Sequence, residues 1–143
     1  MSKFLTPPSW YDQNGSEINI FNNTTYPSFG EENTAIGTFA IAGKPVSEGG
    51  SDGAVAVGSH AQAKAPHSIA VGSYGDDGTS AVQALGSGSI AIGGGTITSA
   101  DAVDGIAIGR AAATSVQGGI AIGGGAEASA KGGIANGQDD YDT

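Results

Sequence analysis

A tetrapeptide of the form apolar-Ala-apolar-Gly returns along most of this 143-residue chain and limits what it can fold into. It reads Val55-Ala56-Val57-Gly58, Ile69-Ala70-Val71-Gly72, Ile90-Ala91-Ile92-Gly93, Ile106-Ala107-Ile108-Gly109 and Ile120-Ala121-Ile122-Gly123. Weaker copies stand at Thr34-Ala35-Ile36-Gly37 and Ile134-Ala135-Asn136-Gly137. The closing glycines Gly37, Gly58, Gly72, Gly93, Gly109, Gly123 and Gly137 are separated by 21, 14, 21, 16, 14 and 14 residues, so fourteen is the unit and the longer intervals hold insertions. Small residues recur three and five places after the glycine, as at Ala40 and Ala42, Ala61 and Ala63, Thr96 and Thr98, or Ala126 and Ala128. Gly75 and Asp77 break that second pattern in the third unit.

Each unit therefore holds two short alternating segments separated by turn-forming residues. Alternation with β-branched residues at every second place predicts strands, and the Gly- and Ser-rich stretches between them predict turns. A helix is disfavoured by a glycine every few residues, at about 1 kcal/mol each. One such unit cannot bury an apolar face alone. Stacking units into a coil, with strands of successive turns about 4.8 Å apart, pairs the backbone along the stack. The reading puts a ladder of large residues (Ile36, Val55, Val57, Ile69, Val71, Ile90, Ile92, Ile106, Ile108, Ile120, Ile122 and Ile134) in the core, facing a ladder of Ala. The two 21-residue intervals place surface excursions at Lys44 to Asp52 and at Ser73 to Ser89. Ala84-Leu85-Gly86 falls fourteen after Gly72, but is read as loop because the seven residues left before Gly93 cannot complete a second strand and turn.

Composition narrows the class further. Leu occurs only at Leu5 and Leu85 while Gly occurs 26 times, which excludes a Leu-rich helical bundle. A net charge of -9 with only 13% charged residues gives a nucleic-acid groove or an anionic-membrane patch no electrostatic basis. Without cysteine there is no disulfide framework or thiolate site, which makes oligomerisation the natural reinforcement of so small a chain. The opening Met1-Ser2-Lys3-Phe4-Leu5-Thr6-Pro7-Pro8 meets Pro-Pro before an apolar run of signal-peptide length, so synthesis in a cytoplasm without Sec export is expected. Every Ile/Val/Ala run is soon cut by Gly, so no membrane-inserting helix is expected.

Three regions follow. Residues 1-33 hold six of the nine aromatics and three of the five prolines, residues 34-137 are the repeats, and residues 138-143 form an acidic tail. The N-terminal aromatics serve either as a small local core or as an anchor docked on a partner; large aromatics after an extended Pro-Pro lead favour docking, which makes Phe4, Trp10 and Tyr11 the candidate attachment residues.

The run Ser/Gly-Ile-Ala-Ile-Gly followed by Ala-x-Ala, renewed every fourteen residues, resembles the head repeats of trimeric autotransporter adhesins, the YadA-like heads. The resemblance covers about residues 34 to 137. It implies an all-β, left-handed parallel β-roll packed as a homotrimer, with Ile90 and Ile92, Ile106 and Ile108, and Ile120 and Ile122 as rungs of the roll core and Gly93, Gly109 and Gly123 at its turns. The sequence departs from the family's pattern in showing no heptad stalk and no membrane β-barrel segment. Similar rolls are found in bacteriophage fibres, and the acidic, repeat-built chain with its separate aromatic N-terminus looks like such a fibre. That likeness implies a non-enzymatic virion-surface protein, docked by its N-terminus on a capsid or tail protein and able to meet a host cell-surface molecule. The alternative is the head module of a bacterial surface adhesin.

No catalytic, cofactor or metal constellation is expected. His60 and His67 are seven residues apart, half a coil, and should lie on opposite sides of the roll. Asp76-Asp77, Asp101 with Asp104, and Asp139-Asp140 lack the Gly-Gly-x-Gly-x-Asp period of calcium-binding rolls. Between Gly37 and Gly43-Lys44 the spacing misses a phosphate loop by one residue, and Pro45 stands where that loop needs Ser or Thr. No Gly-x-Ser-x-Gly elbow stands between a strand and a helix with a usable His and Asp.

Overall fold

The computed structural model describes residues 32-44, 49-74 and 80-137, together with the strand pair Trp10–Tyr11 (β1) and Glu17–Ile18 (β2). β1 and β2 run antiparallel, with Trp10 opposite Ile18 and Tyr11 opposite Glu17. Everything else described is a parallel β-roll. Its first wall is built from three-residue strands: β3 (Thr34–Ile36), β5 (Val55–Val57), β7 (Ile69–Val71), β9 (Ile90–Ile92), β11 (Ile106–Ile108), β13 (Ile120–Ile122) and β15 (Ile134–Asn136). The second wall is built from two-residue strands: β4 (Ile41–Ala42), β6 (Gln62–Ala63), β8 (Gln83–Ala84), β10 (Ile97–Thr98), β12 (Ala113–Thr114) and β14 (Glu127–Ala128). Each wall is one sheet in which odd pairs with odd and even with even, so the chain crosses from wall to wall at every turn. Tetrapeptide stacks on tetrapeptide without a slip: Ile106 pairs with both Ile90 and Ile120, and Ala107 with both Ala91 and Ala121.

Two turns close every coil. After the first wall comes Gly-x-x-Ala, held by a bond such as Ala112 N–H to the Gly109 carbonyl at 3.2 Å. After the second wall comes a turn such as that closed by Gly119 N–H on the Val116 carbonyl, also at 3.2 Å. The closing glycines admit nothing larger. Gly109 has φ of +129°, and a Cβ built on it would lie 2.6 Å from the Gly123 carbonyl oxygen of the next coil. At the N-terminal end of the roll, Asn33 ties coil to coil: its Nδ2 donates to the Ser51 carbonyl at 2.8 Å, and its Oδ1 accepts from Ala54 N–H at 2.7 Å.

The interior is the main correction to the sequence reading. In the first wall it is the central Ala that points inward, and Ala56, Ala70, Ala91, Ala107 and Ala121 are all completely buried. The twelve large residues assigned to the core (Ile36, Val55, Val57, Ile69, Val71, Ile90, Ile92, Ile106, Ile108, Ile120, Ile122 and Ile134) flank that Ala and lie on the outer side of the wall, with Ile92, Ile108, Ile122 and Ile134 exposed. The cause is wall spacing. A coil that turns twice in fourteen residues, around glycines in backbone contact with their neighbours, leaves space between its walls only for methyl and hydroxyl groups. The second wall points inward as read, at Ala40, Ala42, Ala61, Ala63, Ala112, Ala126 and Ala128.

The second excursion also differs from the reading. β8 pairs Gln83 with Gln62 and Ile97, and Ala84 with Ala63 and Thr98, so the third coil has its second strand after all. The insertion begins beyond Gly72 and displaces Val82 and Ala84 by seven residues into places Gly75 and Asp77 would otherwise fill; both Val82 and Ala84 are completely buried. Ala84-Leu85-Gly86 is neither a degenerate tetrapeptide nor loop, but the end of a second-wall strand and the turn after it. The first excursion lies where its interval put it, between β4 and β5.

The Ala core is interrupted once. One cluster runs from Ala40 to Ala91 and another from Ala107 to Ala128, and near the break the buried side chains of Ser89, Thr96 and Thr98 carry hydroxyls. Ser89 Oγ and Thr98 Oγ1 hydrogen-bond at 2.7 Å, and Thr96 Oγ1 donates to the Gly109 carbonyl. These partners meet the requirement that buried polar groups be hydrogen-bonded.

Candidate interaction surfaces

The outer side of the first wall is a sheet surface of two columns. One column is Thr34, Val55, Ile69, Ile90, Ile106, Ile120 and Ile134; the other is Ile36, Val57, Val71, Ile92, Ile108, Ile122 and Asn136. Polar residues appear only at opposite ends, Thr34 and Asn136. The β-branched side chains that give these strands their propensity thus form a continuous apolar surface instead of a core. Surfaces of this extent mark a site of protein association. The outer side of the second wall is different in kind: Ile41, Gln62, Gln83, Ile97, Ala113 and Glu127 succeed one another along it.

The turn after the first wall forms an edge with its own pattern. Two residues beyond the closing glycine stand Phe39, His60, Tyr74, Gly95, Ala111 and Gly125 in successive coils. The first three are aromatic and stack: Phe39 and His60 have ring centroids 4.9 Å apart, and His60 and Tyr74 are 4.5 Å apart. Phe39 and His60 occupy left-handed backbone conformations, with φ of 56° and 61°. His60 Nδ1 lies 2.8 Å from Ser59 Oγ. An open cleft of about 260 Å³ beside the rings is lined by Phe39, Ile41, His60 and Gln62. Strand periodicity alone does not single out this edge. The signal was present as large residues at a place where later units have Gly95 and Gly125.

His67 lies in the turn after the second wall, and His60 in the turn after the first, so the two histidines are on opposite edges as their spacing requires. Among the described residues no three His, Cys, Asp or Glu side chains gather as a metal site. Asp101 falls in the two-residue insertion of the turn between β10 and β11, and is exposed. Of the attachment residues, Phe4 lies outside the described residues, as does the acidic tail 138-143, while Trp10 and Tyr11 form β1. Among the described residues no helix is long and apolar enough to cross a membrane.

Two stretches of the roll, residues 51–74 and 117–139, match the YadA head domain repeat. The chain carries YadA head domain repeats. The two matches cover roughly a third of the chain, and the coils between them keep the same strand register. No curated protein and no solved structure matches the chain. The YadA head is a structural adhesin domain and not an enzyme family, and YadA heads form homotrimers. In this chain the matched repeats lie in the parallel roll, with its glycine turns and its Ala-x-Ala wall.

Proposed function

We propose that the chain is a homotrimeric fibre of a bacteriophage particle, seated by its N-terminal region on a capsid or tail protein and projecting its YadA-like roll outward. The observation that carries the assembly is the outer side of the first wall. Among the described residues no element covers its aliphatic columns, and three copies packed around an axis would bury them against one another. Burial of each Ile contributes about 1.5 to 3 kcal/mol, enough over several coils to hold a trimer of thin rolls together. The seat on the particle rests on the segregation of aromatics. A roll filled by Ala, Ser and Thr has no use for the large rings of residues 1-33, whereas Phe4, Trp10 and Tyr11 are of the type that dominates interface energetics. A trimer carries three such segments, and simultaneous docking of two or three adds avidity. Projecting from the particle, the roll displays its edges and outer second wall to a host surface, in the manner of an adhesin head.

The test is truncation. Residues 34-143 should sediment as a trimer with a β-rich circular dichroism spectrum yet be absent from purified particles, where mass spectrometry should find the full chain. A folded monomer at micromolar concentration would remove the trimer, and truncated chain on particles at normal copy number would remove the N-terminal seat.

A further inference from the structure

We propose that the aromatic edge of the first coils, Phe39, His60 and Tyr74 with Gln62 beside them, is a binding site for neutral sugar rings. The proposal deepens the adhesive part of the reading above and rests on it for its biological setting.

The backbone supplies the first argument. The position two residues after the closing glycine is left-handed in most coils, and Gly95 and Gly125 occupy it with φ of 67° and 65°. Phe39 and His60, and in a later coil Ala111, hold the same conformation without being glycine, which carries a conformational cost that glycine avoids. Such strain, seen at named residues, points to a use for the side chains. That use is not core formation, because the interior is closed by Ala, Ser, Thr and Val82, and Phe39 is 47% exposed.

The cleft chemistry supplies the second argument. Among the described residues its lining combines two apolar surfaces, Phe39 and Ile41, with an imidazole and a carboxamide. Gln62 can donate and accept at once, and His60, whose Nδ1 meets Ser59 Oγ, has Nε2 as its other ring nitrogen. A ligand that fits has a flat C–H face to lie on a ring and hydroxyls at its rim that both donate and accept. A pyranose has that construction. Charge decides between sugar classes: a chain with a net charge of -9 repels sialylated or uronate glycans. In a trimer the site would occur three times, so a repeating polysaccharide would gain avidity from weak single contacts.

The full-length chain should be titrated, by calorimetry and by ligand-observed NMR, with neutral glucan, galactan and N-acetylglucosamine oligosaccharides and with a polyuronate of similar length. At least one neutral oligosaccharide should bind, and the polyuronate should bind at least about tenfold more weakly. The decisive variant is Phe39→Gly with His60→Gly, which removes the rings while giving the backbone the residue its conformation favours. It should melt no lower than the native chain, remain the same oligomer, and lose at least about tenfold in sugar affinity. Absence of binding by every neutral oligosaccharide overturns the site, as does equal binding by the variant or a preference for the polyuronate. A variant that melts far lower makes the rings a structural stack, and one that dissociates makes the edge a seam between copies; either result also overturns it. Sugar binding by a chain absent from particles would leave the site standing and remove the fibre reading instead.

Discussion

The two sides of the first wall belong to the same seven strands and obey different rules. Inward positions, from Ala56 to Ala121, hold one small residue throughout, because the opposite wall and the glycine turns leave no space for another. Outward positions are large and aliphatic with no such geometric demand from their own chain. The inner side is fixed by the coil's own closure, and the outer side by what must cover it. This reverses the usual inference that the larger apolar residue is the buried one, and it separates two kinds of damage, to the roll and to the assembly.

Gly109→Ala should cause the largest loss on the first count. It places a methyl group 2.6 Å from the Gly123 carbonyl oxygen in a conformation other residues avoid, and should cost more than about 4 kcal/mol. No soluble folded chain is expected, as read by yield and circular dichroism. Ala107→Leu tests the same limit through the side chain: overpacking a completely buried Ala should cost about 1 to 3 kcal/mol or more per chain, seen as a lowered melting temperature.

Ile108→Asp, one residue along and on the other side, should break the assembly while sparing the coil. Each chain loses about 1.5 to 3 kcal/mol of apolar burial and brings an unpaired carboxylate into the same layer, so sedimentation should report monomers that keep a β-rich spectrum. If Ala107→Leu and Ile108→Asp had indistinguishable effects on both folding and assembly, the distinction between the two sides would fail. Thr98→Val is subtler. It strips Ser89 Oγ of its 2.7 Å partner in the buried hydroxyl layer and should destabilise by about 1 to 3 kcal/mol, with Ser89→Ala in the same chain restoring most of the loss. Asp101→Ala, on an exposed turn, should stay within about 0.5 kcal/mol of the native chain.

Much of the fold can be read from the chain before any coordinates. The first three residues of every strong tetrapeptide are a strand, the fourth begins a turn, and the second-wall Ala-x-Ala segments point inward where their spacing puts them. Orientation of the first wall cannot be read the same way, because hydropathy ranks Ile above Ala and only the distance between walls reverses the order. The third coil's second strand is hidden for another reason: Val82-Gln83-Ala84 lies seven residues late, and periodicity is silent about where within a unit an insertion falls. The aromatic edge was visible as a column of identities but became a site only when the stacking of coils brought Phe39, His60 and Tyr74, far apart in sequence, to neighbouring levels.

The glycine column has one more consequence, for how a chain of this type can change its length. A closing glycine fits because the residue above it in the next coil is also glycine, and every strong coil presents that same contact on both sides. Any fourteen-residue coil can therefore be copied or deleted by recombination without creating a mismatched junction, whereas a single substitution in the column spoils both its neighbours. The length of such a roll would then evolve in discrete steps of about 4.8 Å, one coil at a time.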